Sequence, residues 1–156
     1  MAKKWTADAA LVDSLSENMV EVLPLLPKRM LRIDAIVREH KMPFSHIQIL
    51  TMLKEGSVSI GELSDKLSIA KPNITPLVDM LAAQGYVERI RDERDRRVVI
   101  VSIKDAGMAK LEEIRQSICD QICAWNASFS RSEIKELNNA LATLIRIVKG
   151  IGDIDI

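Results

Sequence analysis

Arg91-Asp-Glu-Arg-Asp-Arg-Arg97 is charged at each of its seven positions, and a run rich in β-branched residues stands on either side, Tyr86 to Ile90 and Val98 to Ile103. β-branched residues favour strands, and a wholly charged segment stays in water. The arrangement predicts two strands joined by a polar loop. Upstream and downstream the apolar residues recur at helical spacing instead, which restricts the chain to a mainly α fold carrying one small β-hairpin.

Val12, Leu15, Met19 and Val22 follow a 3-4-3 spacing, continued by Leu23, Leu26, Met30, Ile33 and Val37. Pro24 and Pro27 interrupt the rhythm, so two helices are expected, over about 8–22 and about 25–39. At the other end Ile134, Leu137, Leu141, Leu144 and Val148 form a stripe opened by the capping box Ser130-Arg-Ser-Glu133 and closed by Gly150. Before it, Met108, Leu111, Ile114, Ile118 and Ile122 predict a helix over about 105–126.

The middle is built of shorter pieces. Ser45-His-Ile-Gln48 reads as a capping box with Phe44 as a staple residue, predicting a helix from 45 to Lys54 that stops at Gly56. Ser59-Ile-Gly-Glu62 is a second box and starts a short helix ending near Leu67. A third helix is expected over 71–84, ended by Gly85, with Ile74, Leu77, Val78 and Leu81 turned inward.

The chain has 156 residues, a length for one domain, and 47% of them are hydrophobic with a formal net charge of zero, which excludes a disordered chain. Two Cys rule out a secreted disulfide framework. Cys119 and Cys123 share a helix face and are expected to be small core residues, with no cofactor or metal to hold, since four ligands at structural zinc spacing are missing. Asp8, Asp13 and Glu17 interrupt any apolar signal core, and the longest apolar stretch, Val98 to Ile103, is far short of the roughly 20 residues of a membrane span. A cytoplasmic protein is expected. No Gly-rich phosphate loop, paired-Cys motif or placed nucleophile is present, so an enzyme is not expected.

Helix, short helix, longer helix and charged hairpin, within about 60 residues, is the order of a winged helix-turn-helix. Ile60-Gly-Glu-Leu-Ser-Asp-Lys-Leu67, Asn73-Ile-Thr75, Leu77-Val-Asp79, Leu81, Gly85-Tyr-Val87, Arg89 and Asp95-Arg-Arg97, followed by Val98 to Ser102 and Gly107, resemble the MarR family of bacterial and archaeal regulators over residues 44–107. Pro76 and Met80 depart from the family, which often carries basic residues there, and Ile103-Lys104 replaces its usual Leu-Thr. The resemblance implies a winged helix-turn-helix over 43–104, flanked by dimerisation helices over 1–42 and 105–156 that form one compact unit with it. It implies a homodimer, most often a repressor, on a pseudo-palindromic site in double-stranded DNA. It also implies release by a small aromatic or phenolic effector, for which Met30, Ile33, Val37 and His46 are candidate contacts.

The longer helix would enter the major groove with Lys71, Asn73, Thr75 and Pro76 foremost. Asn73 can pair with adenine, Thr75 can meet a thymine methyl or a phosphate, and Lys71 can reach phosphate or guanine; alternatively Asn73 only caps its helix. On the wing, Arg94, Asp95, Arg96 and Arg97 form the tip, where Asp95 orients an arginine by ion pairing, and the resemblance makes Arg97 that arginine and a minor-groove reader. Ser45, Ser57 and Ser59 are candidate phosphate donors. The alternative is a winged-helix scaffold that binds protein and not DNA, favoured by Pro76 and the neutral net charge and opposed by the Asp95-Arg-Arg97 tip.

Overall fold

Ser59 is tied to its helix in both directions: its Oγ accepts from the Glu62 N–H at 3.1 Å, and the Glu62 carboxylate accepts from the Ser59 N–H at 2.7 Å. The expected capping box is therefore present. It sits in a computed structural model that describes residues 8–92, 95–125 and 128–150. The elements are α1 (Ala9–Leu25), a π-helical turn (Leu26–Met30), α2 (Ile33–His40), α3 (Phe44–Leu53), β1 (Val58–Ser59), α4 (Ile60–Leu67), α5 (Lys71–Ala83), β2 (Val87–Arg91), β3 (Val99–Ile103), α6 (Asp105–Ala124) and α7 (Arg131–Gly150).

Three local features differ from the sequence expectation. Pro24 lies inside α1, and the chain continues past Pro27 through the π-helical turn, closed by a 2.9 Å bond from the Leu31 N–H to the Leu26 carbonyl. The wider turn accommodates a proline that would break tighter coiling, so the interruption falls at Arg32, whose φ of 42° is left-handed. α3 starts one residue early, at Phe44, with Pro43 as N-cap. Proline's fixed φ suits a helix start, and its carbonyl takes the His46 N–H at 3.0 Å, so Ser45 falls in the first turn and caps nothing. The hairpin is joined by a third strand, β1, too short to show a period in sequence.

The sheet has the order β1-β3-β2, antiparallel throughout, with Val58 opposite Val101 and Val87 to Arg91 opposite Ile103 to Val99. Its inner face packs on α3, α4 and α5 through Ile49, Leu50, Leu53, Leu63, Ile74, Val78, Leu81, Val87 and Val101, all buried. Leu77, expected inward, is half-buried. Where β3 passes into α6, Lys104 donates to the Tyr86 carbonyl at 2.9 Å, and a Cβ on buried Gly107 would stand 2.4 Å from that same oxygen, so the crossing admits only glycine.

The chain divides into two compact units, one to Gln116 and one from Ser117. In the first, α1 leaves Leu15, Met19 and Leu23 exposed. In the second, the rings of Trp125 and Phe129 pack at 5.9 Å, the Ser130–Glu133 box opens α7 as expected, and Leu144, Ile145 and Val148 are exposed. Cys119 is half-buried and Cys123 exposed, so the expected core role is not theirs. Among the described residues no helix is long and apolar enough to cross a membrane.

Candidate nucleic-acid interface

The turn between α4 and α5 is fixed by Ser68 in the left-handed region, at φ 52°, and by the Ser64 hydroxyl, which donates to the Ile69 carbonyl at 2.7 Å. This places Ala70 as N-cap of α5 with Pro72 in the first turn. Asn73 is the third helical residue and exposed, so it is not the cap that an ordinary helix start would make of it. Thr75 donates its hydroxyl to the Lys71 carbonyl at 3.2 Å, which leaves its methyl group and an acceptor oxygen to face outward contacts.

Beside this helix start lies a cavity of about 470 Å³ lined by Ser59, Ile60, Gly61, Lys71, Thr75, Arg89, Arg97, Val98 and Val99. Lys71 Nζ lies beside Gly61, 3.6 Å from where a Cβ there would stand, an ordinary van der Waals distance. Three cations thus border one concavity in a chain of zero net charge, so the charge average conceals a positive face. Glu62, the nearest acid in sequence to Gly61, is engaged by the Ser59 backbone N–H, which holds its carboxyl below the usual range. Ser59 Oγ accepts from Glu62, and its own proton remains to be donated.

Arg89 donates to the Asp79 carboxylate, linking β2 to α5. Arg89 stands opposite buried Val101, and Val87 two residues before it is buried as well. Arg89 itself is exposed, and its side chain reaches Asp79 in a pair that keeps both partners in contact with water. No role was assigned to either residue from sequence, because the two meet across elements and ten positions apart.

The wing tip corrects the sequence expectation. Among the described residues Asp95 makes no ion pair with an arginine; its Oδ1 accepts from the Arg97 backbone N–H at 3.0 Å, while Asp92 Oδ1 accepts from the Asp95 N–H at 2.9 Å. Short acidic side chains in turns preferentially bind backbone two or three residues on, and this clamp leaves the Arg97 guanidinium to line the cavity. Arg96 is exposed, and Arg94 lies outside the described residues.

The other candidates are placed separately. Ser57 Oγ is 2.7 Å from Ser102 Oγ, so one hydroxyl proton is already committed between them, and Ser45 is half-buried in the first turn of α3. Met30, Ile33 and Val37 are half-buried, and His46 is 1% exposed with neither ring nitrogen hydrogen-bonded among the described residues. The cavity is lined by none of these four. Burial pushes the His46 imidazole below its ordinary pKa. Among the described residues no cluster of His, Cys, Asp and Glu could hold a metal ion.

A sequence profile of the MarR family matches residues 40–98. The chain is 32% identical over 89 residues to the uncharacterised HTH-type transcriptional regulator YsmB of Bacillus subtilis, an alignment covering 57% of this chain and 61% of that one. It is 23% identical over 82 residues to the HTH-type transcriptional repressor MdtR of the same organism, covering 53% of each. It thus spans less than two thirds of the length of either relative. A solved structure of a MarR family protein from Bacillus stearothermophilus superposes with a TM-score of 0.67 at 26% identity, over 92% of this chain and 99% of that one. The winged helix, the motif positions and these likenesses agree, and residues 40–98 carry a region similar to the MarR family.

Proposed function

We propose that this chain is a sequence-specific transcriptional regulator, a repressor, that binds a pseudo-palindromic operator in double-stranded DNA as a homodimer. One observation carries the reading: the cavity between the start of α5 and the wing, bordered by Lys71, Arg89 and Arg97. A helix of this kind fits the major groove, and flanking cations neutralise phosphates on either side of it. Lys71, Asn73, Thr75 and Pro76 are the groove residues; Arg97, with Arg94 and Arg96, forms the wing contact that Asp95 shapes. Ser59 has a hydroxyl proton to give a phosphate, and Ser57 and Ser45 are lesser donors.

Residues 1–42 and 105–156 are the dimerisation segments, supported by the exposed apolar residues of α1 and α7. A small aromatic or phenolic effector bound near Met30, Ile33, Val37 and His46 releases the DNA, a reading that rests on the family. The experiment is selection of bound duplexes from a random pool, followed by titration of the enriched site at several salt concentrations with and without a panel of small phenols. An enriched pseudo-palindrome with a steep salt slope supports the reading. No enrichment, with weak binding even at low salt, removes it.

A further inference from the structure

Buried Ile74, Val78 and Leu81 fix one side of α5 against the core. At about 100° per residue, the opposite side presents Pro72, Asn73, Pro76, Asp79, Met80 and Ala83, all exposed. Met80 leaves 50% of its surface in water. Asp79 alone among them is charged. The helix's one cation, Lys71, stands at the cavity, and its one anion, Asp79, is held by Arg89. Proline inside a helix loses an N–H and crowds the carbonyl four residues back, a cost that the exposed ring of Pro76 does not recover by packing within the protein.

Such a stripe discriminates between base pairs. Guanine offers the major groove two acceptors, N7 and O6, which need donors, whereas thymine offers a C5 methyl that an apolar surface covers. Laid over G·C pairs, proline and methionine would strip water from polar atoms and give nothing in exchange. Laid over A·T pairs they bury methyl groups, while Asn73 donates to N7 and accepts from the N6 amino group of an adenine. From Asn73 to Met80 the helix rises about 10 Å, the height of about three base pairs.

We propose that Pro76 and Met80 are specificity-determining residues that read thymine methyl groups, so that each half-site under α5 is a run of about three A·T pairs. This rests on the DNA-binding reading above and deepens it. Lys71 supplies affinity that is blind to sequence, and the apolar residues of the stripe supply the major-groove discrimination.

The test uses the full chain and the duplexes enriched from a random pool. Thymines of the half-site are replaced one at a time by deoxyuridine, which deletes only the methyl, and affinity is measured for the wild type, Met80→Ala and Pro76→Ala. The expected result is a loss of about fourfold per contacted methyl in the wild type. Met80→Ala should abolish that loss at one position and Pro76→Ala at another, while Met80→Arg should exchange the preferred thymine for a guanine contact. Specific binding to a G·C half-site, or a wild type indifferent to deoxyuridine, overturns the assignment and leaves the regulator reading standing. Absence of any enriched duplex overturns both, and the stripe is then a face for docking protein.

Discussion

The Asp79 carboxylate on α5 accepts from the Arg89 guanidinium on β2, so the helix and the hairpin that border the cationic cavity are fastened to each other by an ion pair. Both side chains keep contact with water, at 32% exposure for Arg89 and 50% for Asp79, and solvent screening reduces what the pair adds to stability. A double-mutant cycle with Asp79→Asn and Arg89→Met, followed by urea unfolding, should return a coupling of about 0.5–1 kcal/mol. A coupling near zero would show that the wing keeps its place by strand pairing alone.

Arg97 and Asp95 are separable because the carboxylate binds backbone and the guanidinium faces the cavity. Arg97→Ala should weaken operator binding by about 1–3 kcal/mol and lower the salt slope by about one. Asp95→Ala removes a loop clamp but no cation, so it should weaken binding through wing disorder with the salt slope unchanged. Equal salt slopes for wild type and Arg97→Ala would take Arg97 out of the phosphate contacts.

His46 gives the fold a sensitivity to acid. It is 1% exposed, its ring nitrogens have no hydrogen-bond partner among the described residues, and burial lowers its pKa from an ordinary 6.5. Below 6.5 the unfolded chain therefore binds a proton that the folded chain resists, and stability falls as pH drops from there through the lowered folded pKa. The contribution is complete above that window. Unfolding free energies from urea titrations should be level above about pH 7 and then decline by at most about 1.4 kcal/mol per pH unit. His46→Leu should flatten the decline. Glu62 acts in a separate, lower window: its pKa is held below 4.5, first by the Ser59 backbone N–H, so the capping box stabilises above 4.5 and weakens as pH falls further. A slope that survives His46→Leu between pH 6.5 and 5 would place its origin elsewhere.

How much of this was legible in the sequence depended on whether the signal was local. The Ser59 and Ser130 boxes and the helix stop near Gly85 were readable because the groups that satisfy one another are three or four residues apart. The start of α3 was misplaced because Pro43 offered a competing and equally local cap. β1 was invisible: two residues carry no period, and Val58 becomes a strand only through Val101 across the sheet. At the candidate site the residue types were legible and their partners were not. Arg97 could be named from its motif, but Asp95 turned to backbone in a tight loop, and the acid paired with Arg89 was Asp79, ten residues before it. Side chains that meet across elements depend on packing that pattern alone does not encode.

Assembly is the last expectation, and it follows from surface that water alone does not explain. Leu15, Met19 and Leu23 follow one another along α1 and are 55%, 60% and 69% exposed, and α7 leaves Leu144 and Val148 about as open. Apolar stripes of this extent are unusual on a monomer and match an isologous interface between two copies. Light scattering should give twice the chain mass for the wild type. Replacing Leu15, Met19 and Leu23 with serine, or removing residues 1–22, should shift the mass toward one chain while circular dichroism of the winged module persists. The same change should cost the pseudo-palindrome its advantage over a single half-site, because two α5 helices must be held roughly 34 Å apart to read it. A dimer unchanged by the α1 substitutions would make that helix peripheral, and Leu144→Ser with Val148→Ser would then have to break it.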